Sequence, residues 1–109
     1  AAPAGTRLEK WADRLKRFDA PRNWDILAAL DTVAQAHQAS VSQVALAWLL
    51  HKPAVCSVIF GARSTEQLTD NIAAASIKLG EEDMRTLDDA SGFEVGYPYD
   101  FMARIQNRW

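Results

Sequence analysis

The chain has a single cysteine, Cys56, among its 109 residues. An internal disulfide is therefore excluded, and this usage fits a reducing compartment, so a cytoplasmic location is expected. Long hydrophobic runs are also missing. The best candidate, Val41 to Phe60, is split by His51-Lys52-Pro53 and falls short of the roughly 20 apolar residues that a membrane-spanning helix needs. Charge of one sign is missing too. Twelve Lys plus Arg are interspersed with fourteen Asp plus Glu for a formal net charge of −2, and no basic stripe marks a nucleic-acid footprint. Neither a membrane nor a nucleic acid is expected as a partner. The opening Ala1-Ala2-Pro3-Ala4-Gly5 has no initiating Met and no basic segment leading into an apolar one. It reads as a cut or trimmed start and not as a secretory signal.

Local catalytic motifs are absent as well. There is no His-Glu-x-x-His, no pair of cysteines for zinc, no Gly-x-Ser-x-Gly elbow and no Walker loop, so no catalytic or metal-binding residue is assigned. Asp88 and Asp89 are adjacent, which points them to different sides of a helix and spoils them as an acid–base pair. What is present is an apolar fraction of 49%, the composition of a folded chain. One domain at most is expected, large enough to bury a core without disulfides or metals.

Thr6-x-x-Glu9 has the form of a capping box, and Leu8, Trp11, Leu15 and Phe18 recur at helical spacing, which predicts a helix that Pro21 stops. Asp13 and Arg17 can pair on its surface. Asn23 can cap a second helix whose inward face is Ile26, Leu30, Val33 and His37. His37 is placed at that helix's end and His51 in the last turn of the next, where packing or a favourable dipole accounts for them. Ser40-x-x-Gln43 is a second capping box, followed by the apolar run Val44 to Leu50, which predicts a helix buried on most sides. Val55 to Phe60, bounded by Pro53 and Gly61, reads as the one good strand, covered on both faces, with Cys56 as a small core residue. A lone strand leaves its ladder groups unpaired, so a partner strand is expected from elsewhere.

At Gly61 the apolar run turns into a polar, helix-starting segment. Ser64-x-x-Gln67 is a third capping box, and the expected helix points Leu68, Ile72 and Ala75 inward. A helix start beside Arg63 leaves backbone N–H groups and a positive dipole end, the parts of a phosphate site. The same turn also suits an ordinary strand-to-helix connection. Gln67 and Asn71, four apart, share a face and can present their amides together, either to water or to a flat polar ring. Leu79-Gly80-Glu81-Glu82-Asp83-Met84 then opens the last clear helix, with Gly80 as N-cap and Leu79 stapled to Met84, running to about Ala90. The tail, Phe93 to Met102, is aromatic and broken by Gly and Pro, and reads as a loop lying on the body, with Ala103 to Trp109 able to add a helical turn.

The run Val44-Ala45-Leu46-Ala47-Trp48-Leu49-Leu50, the strand, and Gly61-Ala62-Arg63-Ser64-x-Glu66-Gln67-Leu68-x-x-Asn71 resemble, in order and spacing, the C-terminal portion of an aldo-keto reductase. Ser91-Gly92-Phe93 and Gly96-Tyr97-Pro98-Tyr99 are similar to the tail of bacterial members, and Ala2 to Arg7 resembles the loop after the seventh barrel strand. The resemblance implies a fragment of an α/β fold, the end of a (β/α)8 TIM barrel, mainly helical by content. Residues 1–22 would be a loop and extra helix, 23–90 the helices, eighth strand and cofactor helix, and 91–109 the C-terminal tail. It also implies NADP(H) as cofactor and, in the complete protein, reduction of a small aldehyde or ketone. The 2′-phosphate would fall to Gly61, Ala62, Arg63 and Ser64, and the adenine side to Gln67 and Asn71. Phe60 stands where the family usually has proline, and Glu66 adds a negative charge to the first turn.

The family's Asp, Tyr, Lys and His tetrad comes from earlier strands, and Tyr97, Tyr99, His37, His51, Lys52 and Lys78 stand outside its pattern. No activity is therefore expected of this chain alone. It would need the rest of the barrel, or another copy of itself, to pair its strand. The alternative is a non-catalytic, mainly helical binding or oligomerisation module that uses the same strand edge.

Overall fold

The computed structural model describes residues 16, 18–93, 96 and 98–106. The capping box at Thr6, the face Leu8, Trp11 and Leu15, and the Asp13–Arg17 pair lie outside them. Helix α1 spans Pro21–His37, α2 Val41–Leu50, α3 Thr65–Ala73 with a 3-10 turn Ala74–Ser76 at its end, α4 Glu81–Ser91 and α5 Tyr99–Gln106.

Pro21 opens α1; before it Lys16 and Phe18 are helical, and Asp19 and Ala20 are not. Ala20 is extended, at φ −115° and ψ 142°, and Pro21 occupies the first helical position, where its missing N–H is no loss. Asn23, expected as the cap, instead donates from its side chain to the Phe18 carbonyl at 2.8 Å. The helix ends in a left-handed residue, Gln38 at φ 51° and ψ 40°, and the Ala39 N–H closes onto the Ala34 carbonyl at 2.9 Å. That reversal delivers Ser40 to α2, where both halves of the expected capping box form. The Ser40 oxygen accepts the Gln43 N–H and the Gln43 amide oxygen accepts the Ser40 N–H, each at 3.1 Å.

The core lies between α1, α2 and α4. Val33, Ala34, Val44, Ala47, Leu79 and Leu87 form its buried cluster, with Leu30, Trp48 and Met84 packed against it. Val44 is fully buried. Each large side chain so placed contributes roughly 1.5–3 kcal/mol from lost apolar exposure. Helix α4 begins as expected at Gly80, whose N–H donates to Asp83 Oδ2 at 3.0 Å, with Glu81, Glu82 and Asp83 on the positive end of its dipole. Its other end is closed by Arg22, which donates to the Ser91 and Gly92 carbonyls at 2.8 and 2.9 Å. A cation there satisfies carbonyls that the helix itself leaves unpaired.

Polar ties hold the end of α2 to α4. Asp88 accepts from Trp48 Nε1 at 2.7 Å and from Lys52, and the Lys52 ammonium lies 4.6 Å from the Trp48 ring centroid. His51 bridges two elements: Nδ1 meets the Ala47 carbonyl at 2.7 Å, and Nε2 accepts the Leu79 N–H at 3.3 Å. His37 pairs with Asp83. Both histidines thus take structural roles.

Three expectations are corrected. No strand forms among the described residues: Val55 to Phe60 is irregular, Cys56 is exposed rather than in the core, and Ile59 is 96% exposed. A strand is defined by its ladder, and the described residues offer this segment no second strand. For the same reason the face of α3 is not covered. Ala75 is exposed, and Leu68 and Ile72 are 43% and 57% exposed, while the buried residue there is Ala74. In the tail, helix begins at Tyr99, just after Pro98, where a loop was expected. Its Tyr99, Phe101, Met102 and Ile105 are exposed.

Candidate functional site

The segment Gly61 to Asn71 folds back on itself. Ser64 is extended and its oxygen accepts the Gln67 N–H at 3.2 Å, so the expected N-cap forms. The reciprocal half of the box does not. The Gln67 amide oxygen takes the Arg63 N–H, at 2.8 Å, one residue earlier than a capping box requires. One turn further along α3, Asn71 Nδ2 reaches the Gly61 carbonyl at 3.5 Å. The two stacked amides therefore converge on the backbone of one turn.

Glu66 joins them. Its carboxyl is held below the usual carboxylate range by its own backbone N–H and then by the Ser64 side chain, with slight burial opposing. The N–H groups of Arg63 and Gln67 thus have acceptors within the chain. Two of the donors expected to be unpaired at this turn are taken by the chain's own side chains.

Two open clefts flank the turn. Gly61, Gln67 and Asn71 line one with Ser42, Glu66 and Asp70, about 560 Å³ in volume. Ala62, Arg63 and Ser64 line the other with Phe60, Thr65 and Leu68, about 510 Å³. Both are within the size range of nucleotide-sized ligand sites. Gly61 is not in the left-handed region, and a Cβ added there would meet no heavy atom within 4 Å. The fold therefore does not demand glycine at this position, and its missing side chain leaves the cleft open.

One residue that positions the turn had no local signal. Asp70 accepts from the Ser40 hydroxyl at 2.8 Å through Oδ2 and from Gln43 Nε2 at 2.9 Å through Oδ1, and its carbonyl accepts from the same Gln43 nitrogen at 2.9 Å. The capping box of α2 is thereby also the anchor of α3. The contact crosses 27 positions, so only packing reveals it. Among the described residues no group of three or more His, Cys, Asp or Glu could hold a metal ion, and no helix is long and apolar enough to cross a membrane.

The sequence profile of the Aldo/keto reductase family matches residues 3–91. Norsolorinic acid reductase of Aspergillus flavus is 37% identical over 73 residues, which is 67% of this chain and 19% of that protein. Aldo-keto reductase ausK of Emericella nidulans is 42% identical over 73 residues, 66% of this chain and 18% of its own length. An aryl-alcohol dehydrogenase, GME11368 of Pestalotiopsis microspora, is 33% identical over 81 residues, 74% of this chain and 21% of its own length. The chain belongs to the aldo/keto reductase family. It spans about a fifth of the length of the curated relatives it matches.

Proposed function

We propose that this chain is the C-terminal, NADP(H)-binding portion of an aldo-keto reductase, which in the complete protein reduces aldehydes or ketones with NADPH. The observation that carries the reading is the convergence of Gln67 and Asn71 on the turn Gly61 to Ser64, inside the segment that the family profile covers. The donor set suits the group. A guanidinium at Arg63, a hydroxyl at Ser64 and a helix start favour a phosphate dianion, and two side-chain amides offer both donors and acceptors to an adenine edge. Open space beside Gly61 admits a ligand without backbone movement.

On this reading Val55 to Phe60 is the eighth strand of a barrel. It is extended enough in composition to pair but waits for neighbours that lie on the rest of the protein. The apolar surface exposed at Ile59, Phe60, Leu68 and Ile72 is then the surface the barrel covers. The general acid and its partners belong to that remainder, and a reducing cytoplasm suits the exposed Cys56. Titration of NADPH and NADH into the full-length protein, with and without Arg63→Ala, tests the assignment. NADPH affinity should fall selectively, and an equal loss for both cofactors would remove the 2′-phosphate from this turn.

A further inference from the structure

Phe60 is an aromatic ring at the edge of a polar turn. It lines the cleft of Arg63 and Ser64, where Leu68 is the other large apolar side chain. It also lines, together with Asn71, an apolar groove beside α2 of about 290 Å³ that includes Leu46, Leu50, Val58 and Ile72. The cleft of Arg63 and Ser64 has no lining residue in common with the cleft of Gly61, Gln67 and Asn71. Phe60 joins the two sides, because it borders the first of these clefts and also a cavity that one of the two amides lines. Its side chain is 37% exposed, against 96% for Ile59 before it, so part of the ring is packed and part stays open. A ring has two faces, and the rest of the protein can cover the groove side while the side lining the Arg63 cleft remains accessible. A nucleotide needs a flat apolar surface for the face of its base as well as polar groups for its edge. The cleft of Gly61, Gln67 and Asn71 adds Ser42, Glu66 and Asp70 and has no large apolar side chain.

Resting on the cofactor site proposed above, we infer that Phe60 is a further cofactor-binding residue of that site: its ring stacks on the face of the adenine, between the 2′-phosphate at Arg63 and Ser64 and the base edge at Gln67 and Asn71. Stacking rewards the size of the base and is indifferent to the phosphate. A merely structural Phe60, there to fill the groove, would on substitution weaken every ligand of the site alike or none.

The test uses two probes that carry the same phosphate on different bases, adenosine 2′-monophosphate and uridine 2′-monophosphate, titrated calorimetrically into the full-length protein. Phe60→Ala should weaken the adenosine probe about five- to a hundredfold, the range for removing one base–aromatic stack. The uridine probe, whose smaller base stacks less, should lose less, so the preference for adenine shrinks. Phe60→Leu, which keeps apolar bulk in the groove should alanine unfold the protein, should shift the preference the same way, and Phe60→Trp, which keeps a ring, should hold it near the parent value. An unchanged adenine preference in Phe60→Leu, an equal loss for both probes, or a Phe60→Trp variant as weak as Phe60→Ala would overturn the stacking role. Arg63→Ala separates the two levels. If it weakens both probes while the Phe60 variants leave the preference unchanged, the site stands and this inference falls; if it leaves both probes unaffected, both fall together.

Discussion

His37, the last residue of α1, meets Asp83, the third residue of α4, with 2.7 Å between Nε2 and Oδ2. The same Asp83 oxygen accepts the Gly80 N–H that begins α4. The hydrogen bond from His37 chiefly holds the Asp83 carboxyl below the usual range, partial burial opposes it, and the Gly80 N–H adds to the lowering. A carboxylate whose folded-state pKa is depressed contributes stability that is complete above its unfolded value, near 4, and lost as pH falls through the folded value. Urea unfolding midpoints should therefore drop on acidification below about pH 4, and Asp83→Asn should flatten that part of the profile. An unchanged slope in the variant would mean that this pair is not coupled to folding.

Arg63→Ala in the full-length protein should weaken NADPH by about ten- to a hundredfold, the worth of one charge-assisted contact. NADH, which lacks the 2′-phosphate, should change far less. Dissociation constants for both cofactors measured by fluorescence titration decide it.

Asp70→Ala should destabilise the chain by roughly 1–3 kcal/mol, because it strands the Ser40 hydroxyl and the Gln43 amide that tie α2 to α3. Since α3 carries Gln67 and Asn71, nucleotide binding should fall with it. Chemical denaturation and cofactor titration of the same variant should move together; binding that survives intact would show that α3 keeps its place without this anchor.

Val44→Ala and Ile59→Ala make a contrasting pair. Val44 is fully buried, and losing two methyl groups there should cost about 2 kcal/mol. Ile59 is 96% exposed, so its truncation in this chain should stay within about 0.5 kcal/mol. In the full-length protein the same Ile59→Ala change should cost roughly 2–5 kcal/mol if the segment is a barrel strand buried on both faces. A neutral effect in both contexts would refute the eighth-strand assignment.

This chain alone should show no carbonyl reduction above background when mixed with NADPH and an aromatic aldehyde. Turnover by a preparation free of other reductases would contradict the proposal that the general acid lies on the rest of the protein.

The residues of the sequence determined by themselves what lies within about one helical turn. Ser40 with Gln43, Ser64 with the Gln67 N–H, and Gly80 with Asp83 all close between positions three apart, where the backbone keeps the two groups in reach whatever the rest of the chain does. The inward face of α1 was legible for the same reason, since helical spacing places Leu30 and Val33 together. Pro21 was legible as a boundary between two helices but not as the first residue of the second, because proline is excluded from a helix interior yet favoured at its first position.

Only tertiary structure decided the rest. Asp70 on the α2 capping box, His51 on the Leu79 N–H and Asp88 between Trp48 and Lys52 join positions far apart in sequence, and no local pattern encodes which of several exposed polar groups will meet. The turn from Gly61 to Asn71 shows both levels. Its N-cap was written in Ser64, whereas the capture of the Arg63 N–H by Gln67 depended on a side-chain choice among competing acceptors. Val55 to Phe60 marks the limit: composition made it a strand, but a strand exists only as one side of a ladder, and the other side is not within the described residues.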